Sequence, residues 1–178
     1  MDSLEQARQR VERGELDAFR SIVAQTSDML VRLSARILGN VSDAEDVVQE
    51  AYVKTYQVLT TGQFGGRSSL KTWLYRVVTN GSIDALRKRQ RKAEVGDDVM
   101  VDMADAHGSG ALEARLALQE LADLLQGLPE DQRAALVLKG VEGLSTAEIA
   151  DIMQCSEGAV EQRLVRARVY LRSKRRLP

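Results

Sequence analysis

Apolar residues recur at three- and four-residue intervals along most of this chain, broken at a few short polar or glycine-bearing stretches. That period predicts helices in succession. A first helix is expected over Leu4–Arg13, ended by Gly14. A second is expected over Asp17–Leu38, carrying Phe19, Ile22, Val23, Met29, Leu30, Leu33 and Ile37 and stopping at Gly39-Asn40. Ser42 then stands where a cap belongs, ahead of a third helix over Asp43–Leu59. Its stripe is Ala44, Val47, Val48, Ala51, Tyr52, Thr55, Val58 and Leu59, and its acidic first turn suits the helix dipole. The loop TTGQFGGRSS follows, and a fourth helix starts after Ser69. It buries Leu70, Trp73, Leu74 and Val77 and runs into a basic stretch ending at Lys92. The spacing of Trp73 with its apolar neighbours makes it a core residue rather than a base-stacking wedge.

Periodicity fails over residues 94–111, an acidic, glycine-containing stretch that reads as a flexible linker. It returns at Leu112–Leu125, and Leu128-Pro129 opens another helix reaching Lys139. Ser145 with Glu148 is a capping box, so a short helix is expected from Thr146. Gln154, Cys155 and Ser156 break the pattern, and Ser156 caps a helix beginning at Glu157. This last helix buries Val160, Leu164, Ala167 and Leu171. Its other faces carry Arg163, Arg166, Arg168 and Arg172. Two helices joined by a three-residue turn, the second long and arginine-rich, suit a major groove. Taken alone, the arginines also fit a solvated face, the weaker of the two readings. The fold class expected is all-α: two small helical domains over residues 1–93 and 112–178, joined by the acidic linker.

Composition narrows the picture. The formal net charge of −1 is unpromising for a nucleic-acid binder until it is divided along the chain. Residues 1–94 hold 15 Lys/Arg against 12 Asp/Glu, residues 95–127 hold one against seven, and residues 128–178 hold nine against seven. Basic residues concentrate in LRKRQRK at 86–92 and beyond Glu161, and such local patches decide phosphate affinity. Cys155 and His107 are the only residues of their kinds. Neither an intramolecular disulfide nor a Cys/His zinc site can be assembled within one chain, and no catalytic triad is expected around its one histidine. No nucleotide-binding glycine loop occurs, so neither an enzyme activity nor a cofactor is expected. No apolar run approaches the roughly 20 residues of a membrane span, and the N-terminus lacks a signal-peptide core, so a cytoplasmic location is expected. Cys155, in the turn, reads as a small half-buried structural residue.

Three segments in order resemble extracytoplasmic-function (ECF) sigma factors of bacterial RNA polymerase. They are DAEDVVQEAYVKTYQVL, FGGRSSLKTWLYRVVTNGSIDALRKRQRK and LPEDQRAALVLKGVEGLSTAEIADIMQCSEGAVEQRLVRARVYLR. The resemblance implies a sigma-2-like domain that recognises and melts the minus-ten element and a sigma-4-like domain that reads the minus-35 element. It implies docking of Asp46, Gln49, Glu50 and Val53 on the beta-prime clamp helices of core polymerase, with the beta flap as a further contact. It gives Phe64, Arg67, Arg76, Asn80, Arg87, Lys88 and Arg91 to minus-ten DNA, the loop 61–68 capturing a base. Ser156, Glu161, Gln162, Arg163 and Arg166 fall to minus-35 DNA, and an anti-sigma protein is an expected partner. The acidic linker fits either a passage through the RNA channel or charge-driven disorder.

The chain departs from the family at Glu161 and Gln162, where a basic residue and serine are common. Glu161 is repelled by phosphate but accepts from cytosine N4, and Gln162 suits adenine. Gln154 replaces the usual turn glycine, a cost of about 1 kcal/mol if its backbone is left-handed. Two other readings stay open on the residues. One is a stand-alone helix-turn-helix regulator using residues 112–178. The other is a degenerate adaptor that binds polymerase without reading DNA.

Overall fold

The computed structural model describes residues 3–94 and 122–175, and every regular element among them is helical. Four helices make the first half: α1 (Ser3–Glu12), α2 (Ala18–Leu38), α3 (Val41–Thr60) and α4 (Leu70–Glu94). After a helical turn at 122–126 come α5 (Glu130–Gly140), α6 (Thr146–Met153) and α7 (Glu157–Arg175). The linker expected over 94–111 and the helix expected over Leu112–Leu125 fall mostly outside the described residues. Glu94 itself closes α4.

Most boundaries follow local chemistry. Gly39 ends α2 in the left-handed region at φ 85°, its N–H bonded to the Ala35 carbonyl, and hands an extended backbone to Asn40. Asn40, rather than Ser42, therefore caps α3. Its Oδ1 accepts from the Asp43 N–H at 2.7 Å, and its amide donates back to the Asp43 carboxylate at 2.8 Å. Asparagine and serine cap equally well, so the preceding glycine turn decides the start and adds a half-turn to the helix. Pro129 stands just before α5, not inside it, at φ −52° and ψ 143°.

The helix-turn-helix forms as its caps predict. Ser145 Oγ accepts from the Glu148 N–H at 3.2 Å while the Glu148 carboxylate accepts from the Ser145 N–H at 2.8 Å. The Ser145 N–H, and then the Ser145 hydroxyl donating to the same carboxylate at 2.7 Å, hold the exposed Glu148 carboxyl below the usual glutamate range. Gln154 is left-handed at φ 51° and ψ 49°, the strained case anticipated where a glycine is usual. Ser156 Oγ then accepts from the Ala159 N–H at 3.2 Å and starts α7.

In the first half Ile22, Leu30, Leu33 and Ile37 of α2 are fully buried against Ala44, Val48 and Ala51 of α3 and Leu70, Leu74 and Val78 of α4. Phe19, Met29 and Trp73 are only half-buried at the rim of this core. In the second half Leu138, Ile149, Val160, Leu164 and Ala167 close around the turn, while Leu171 stays half-buried. The two sets belong to one continuous apolar cluster, because α4 packs against α6 and both α2 and α4 touch α5. The halves that the linker separates in sequence are in contact in space.

Candidate nucleic-acid interface

Helix α7 is held by Val160, Leu164 and Ala167, all 4% exposed or less. That anchoring face leaves Glu161, Gln162 and Arg166 outward and exposed on the opposite side. Ser156 is spent on the cap, so its hydroxyl oxygen serves the backbone of α7. Arg163 is different from its neighbours. It is half-buried and donates to Cys155 Sγ at 2.8 Å and to Asp131 Oδ2 at 3.3 Å. Cys155 is free and half-buried, as expected of a structural turn residue.

On α4 the cations follow one another toward the C-terminus. Arg87, Lys88 and Arg91 are exposed, and Asn80 and Arg76 are half-buried. The Arg76 Nε atom is buried without a hydrogen-bond partner. Arg67 is exposed on the loop before α4. Phe64, which the resemblance places on the DNA side, is buried in this structure. It is 7% exposed, its ring set edge-on to Trp73 at 5.8 Å, with the Arg8 guanidinium 5.2 Å over its face. The loop is too short on other apolar residues to leave its one phenylalanine in water, so Phe64 anchors the loop. Trp73 packs at the rim of the core, its Nε1 donating to Thr55 Oγ1 at 3.3 Å.

Asp46, Gln49, Glu50 and Val53 share the outer face of α3, all exposed, with Val53 58% exposed. Beside them runs a groove between α3 and α4 lined by Asp46, Glu50 and Lys54 of α3 on one wall and Lys88 and Lys92 of α4 on the other. At its end Asp43 binds Arg89. The Asp43 carboxyl lies below its ordinary range, chiefly through the Asn40 amide and then through Arg89.

Sequence reasoning missed the polar contacts between the halves. Arg133 of α5 is 2% exposed and donates to the Ile37 carbonyl at 2.9 Å, to Gln126 Oε1 at 2.8 Å, and to the carbonyls of Gln126 and Leu128. A cation at the C-terminus of α2 is where the helix dipole favours one. Burial pushes its pKa down to about 10, which leaves it charged at neutral pH. Gly39 makes room for this arrangement: the Gln126 amide nitrogen lies 1.8 Å from where a Cβ would stand. Arg36 and Tyr75 both bind Glu142, at 3.0 and 2.9 Å, and burial raises the Tyr75 hydroxyl well above its usual range. Arg87 donates to Glu130 at 2.9 Å and to Asp131 at 3.1 Å. Glu130 is held below its ordinary value by its own backbone N–H and then by Arg87. Only the (i, i+4) and capping spacings are visible in a sequence, and the pairs that join the two halves are 43 to 106 residues apart.

Among the described residues no cluster of His, Cys, Asp and Glu is placed to hold a metal ion, and no helix is long and apolar enough to cross a membrane.

Comparison with known proteins bears on each half. The family model for Sigma-70 region 2 matches residues 22–92, and that for Sigma-70, region 4 matches residues 118–171. The chain is 36% identical to the RNA polymerase sigma-H factor of Pseudomonas aeruginosa, over 90% of its own length and 87% of that protein. It is 35% identical to the ECF RNA polymerase sigma factor SigW of Bacillus subtilis, over 94% of each chain. Among solved structures it resembles the sigma factor RpoE in complex with the anti-sigma factor NepR from Bartonella quintana. There the TM-score is 0.67 with 29% identity, over 87% of this chain and 94% of that one.

Proposed function

The chain belongs to the ECF sigma factors of the sigma-70 family, and from this membership we propose how its residues divide the work of initiation. It is an alternative sigma factor: a non-enzymatic subunit that joins core RNA polymerase, directs it to a promoter class and is restrained by an anti-sigma protein. The observation that carries the reading is the pairing of two cationic helices, α4 and α7, on separate halves that match regions 2 and 4.

The exposed face of α3 supplies the core contact through Asp46, Gln49, Glu50 and Val53. An isolated exposed valine among acids suits a partner surface with an apolar pocket and a basic rim. In the first half Arg67, Asn80, Lys88 and Arg91 hold the minus-ten strand by its phosphates and bases, with Arg76 and Arg87 completing the row. Melting requires unstacking at a cost of a few kcal/mol, which a cationic track along the single strand offsets. Phe64 supports this track from beneath by fixing the loop 61–68. In the second half Gln162 and Arg166 reach base edges or phosphates of the minus-35 element, and Ser156 positions the start of α7. Glu161 accepts from an exocyclic amine, so cytosine is the favoured base opposite it. Arg163 completes the set once it leaves Asp131.

The test is reconstitution of core polymerase with this chain on a genomic fragment library, mapping start sites with and without it. New starts sharing elements near minus-ten and minus-35 support the reading. Core binding without new starts replaces it with the adaptor, and DNA binding without core binding replaces it with the lone regulator.

A further inference from the structure

We infer that Glu130 and Asp131 serve as a built-in substitute for DNA phosphate, occupying Arg87 of the first half and Arg163 of the recognition helix together while the halves are closed. The inference rests on the DNA-reading roles proposed above for those two arginines. Asp131 presents its two oxygens to opposite halves of the protein: Oδ1 to Arg87 Nη2 at 3.1 Å and Oδ2 to Arg163 Nη2 at 3.3 Å. Glu130 adds a second carboxylate on Arg87, Oε1 to Nε at 2.9 Å. A phosphodiester offers arginine the same thing, a pair of anionic oxygens in reach of a guanidinium fork. The two acids share one cleft with Gln162, Arg163 and Arg166, so they sit where the nucleic acid is to be read.

The geometry of a promoter makes closure and reading exclusive. Elements at minus-ten and minus-35 are about 25 base pairs apart, roughly 85 Å of duplex at about 3.4 Å per step. A compact chain of this length has a radius of gyration near 16 Å and measures about 40 Å across. One closed molecule does not reach both elements, so the halves part when a promoter is engaged. Parting carries Glu130 and Asp131 away from Arg87, while Arg163, which shares the second half with Asp131, exchanges that carboxylate for phosphate when DNA arrives. The lock is shallow by construction. Arg87 is 46% exposed and Arg163 26%, and exposed ion pairs contribute little and weaken with salt. Such a lock suppresses non-specific attraction to DNA without opposing the polymerase.

The experiment measures binding of the full chain to a short random-sequence duplex across a salt series. Glu130→Gln/Asp131→Asn is compared with wild type and with Asp28→Asn/Glu45→Gln, which removes the same charge at exposed positions of α2 and α3. The inference predicts tighter binding for the first variant than for the second. It also predicts a plot of log K against log salt that is steeper by about 2, since each freed arginine releases about 0.9 ion. Equal shifts in both variants overturn it. Should the double variant lose its far-UV signal, Asp131→Asn alone against Asp28→Asn makes the same comparison. Transcription separates the two levels. A wild-type chain that never programs core polymerase overturns the sigma reading, whereas an active wild type with matched variants overturns only the lock.

Discussion

The interior of the first half and the contact between the halves are both polar in part, but in opposite styles. Inside the first half the buried polar groups are neutral hydroxyls: Thr26 with Tyr52 at 2.7 Å, Ser34 with Ser82 at 2.8 Å, and Thr55 under Trp73. Between the halves the contacts are charged: Arg87 with Glu130 and Asp131, Arg36 with Glu142, and Arg133 on helix-end carbonyls. Small hydroxyls let helices approach closely and cost little to bury when paired. Partly exposed ion pairs are weak, screened by salt and well solvated when separated. The first style suits a permanent domain, the second a joint that opens. Arg133 is the exception that ties them, a buried cation belonging to the joint.

The sharpest way to test this contrast is to damage each side in turn. Leu33→Ala removes a fully buried side chain of α2 and should destabilise the chain by about 2–5 kcal/mol, read from the urea midpoint of the helical signal. A loss under 1 kcal/mol would mean the first half is not the rigid unit described.

Arg133→Met comes next. It keeps the apolar stem but leaves the Ile37, Gln126 and Leu128 carbonyls without their donor. The expected loss is about 1–3 kcal/mol, with a larger radius of gyration by X-ray scattering. Unchanged dimensions would show that the ion pairs close the halves without it.

Gln154→Gly works in the other direction, within the second half. It relieves a left-handed non-glycine residue and should raise stability by about 1 kcal/mol without altering the closed dimensions. A loss would assign the Gln154 side chain a role that its exposed position does not display.

Acid gives the smallest effect. Glu130 has a lowered pKa in the folded chain, so its contribution is complete above the ordinary glutamate value of 4.5 and fades as pH falls through the folded value. Scattering below that ordinary value should therefore show the halves loosening while the helical signal persists. Simultaneous loss of both would contradict a separable joint.

The sequence carried the helices well because each depends on neighbours within four residues. The capping box at Ser145 and Glu148, the strained Gln154 and the buried face of α7 were legible for that reason. The start of α3 was misplaced at Ser42 because the deciding residue was Gly39, whose turn sets Asn40 in extended form. The burial of Phe64 was not legible, because it depends on Arg8 and Trp73, which only the tertiary fold brings near. The contact between halves was invisible for the same reason. Nothing local distinguishes Arg133, which is buried, from Arg166, which is exposed.

The central claim is that α4 and α7 read two separate stretches of one promoter. Photo-crosslinking from Gln90 on α4 and from Val165 on α7, both exposed, tests it directly in a polymerase complex programmed by this chain. The account predicts two crosslink sites about 25 base pairs apart, near minus-ten and minus-35, a distance only the opened protein spans at about 3.4 Å per step. Crosslinks from both positions to one short segment, or from one position alone, would contradict it.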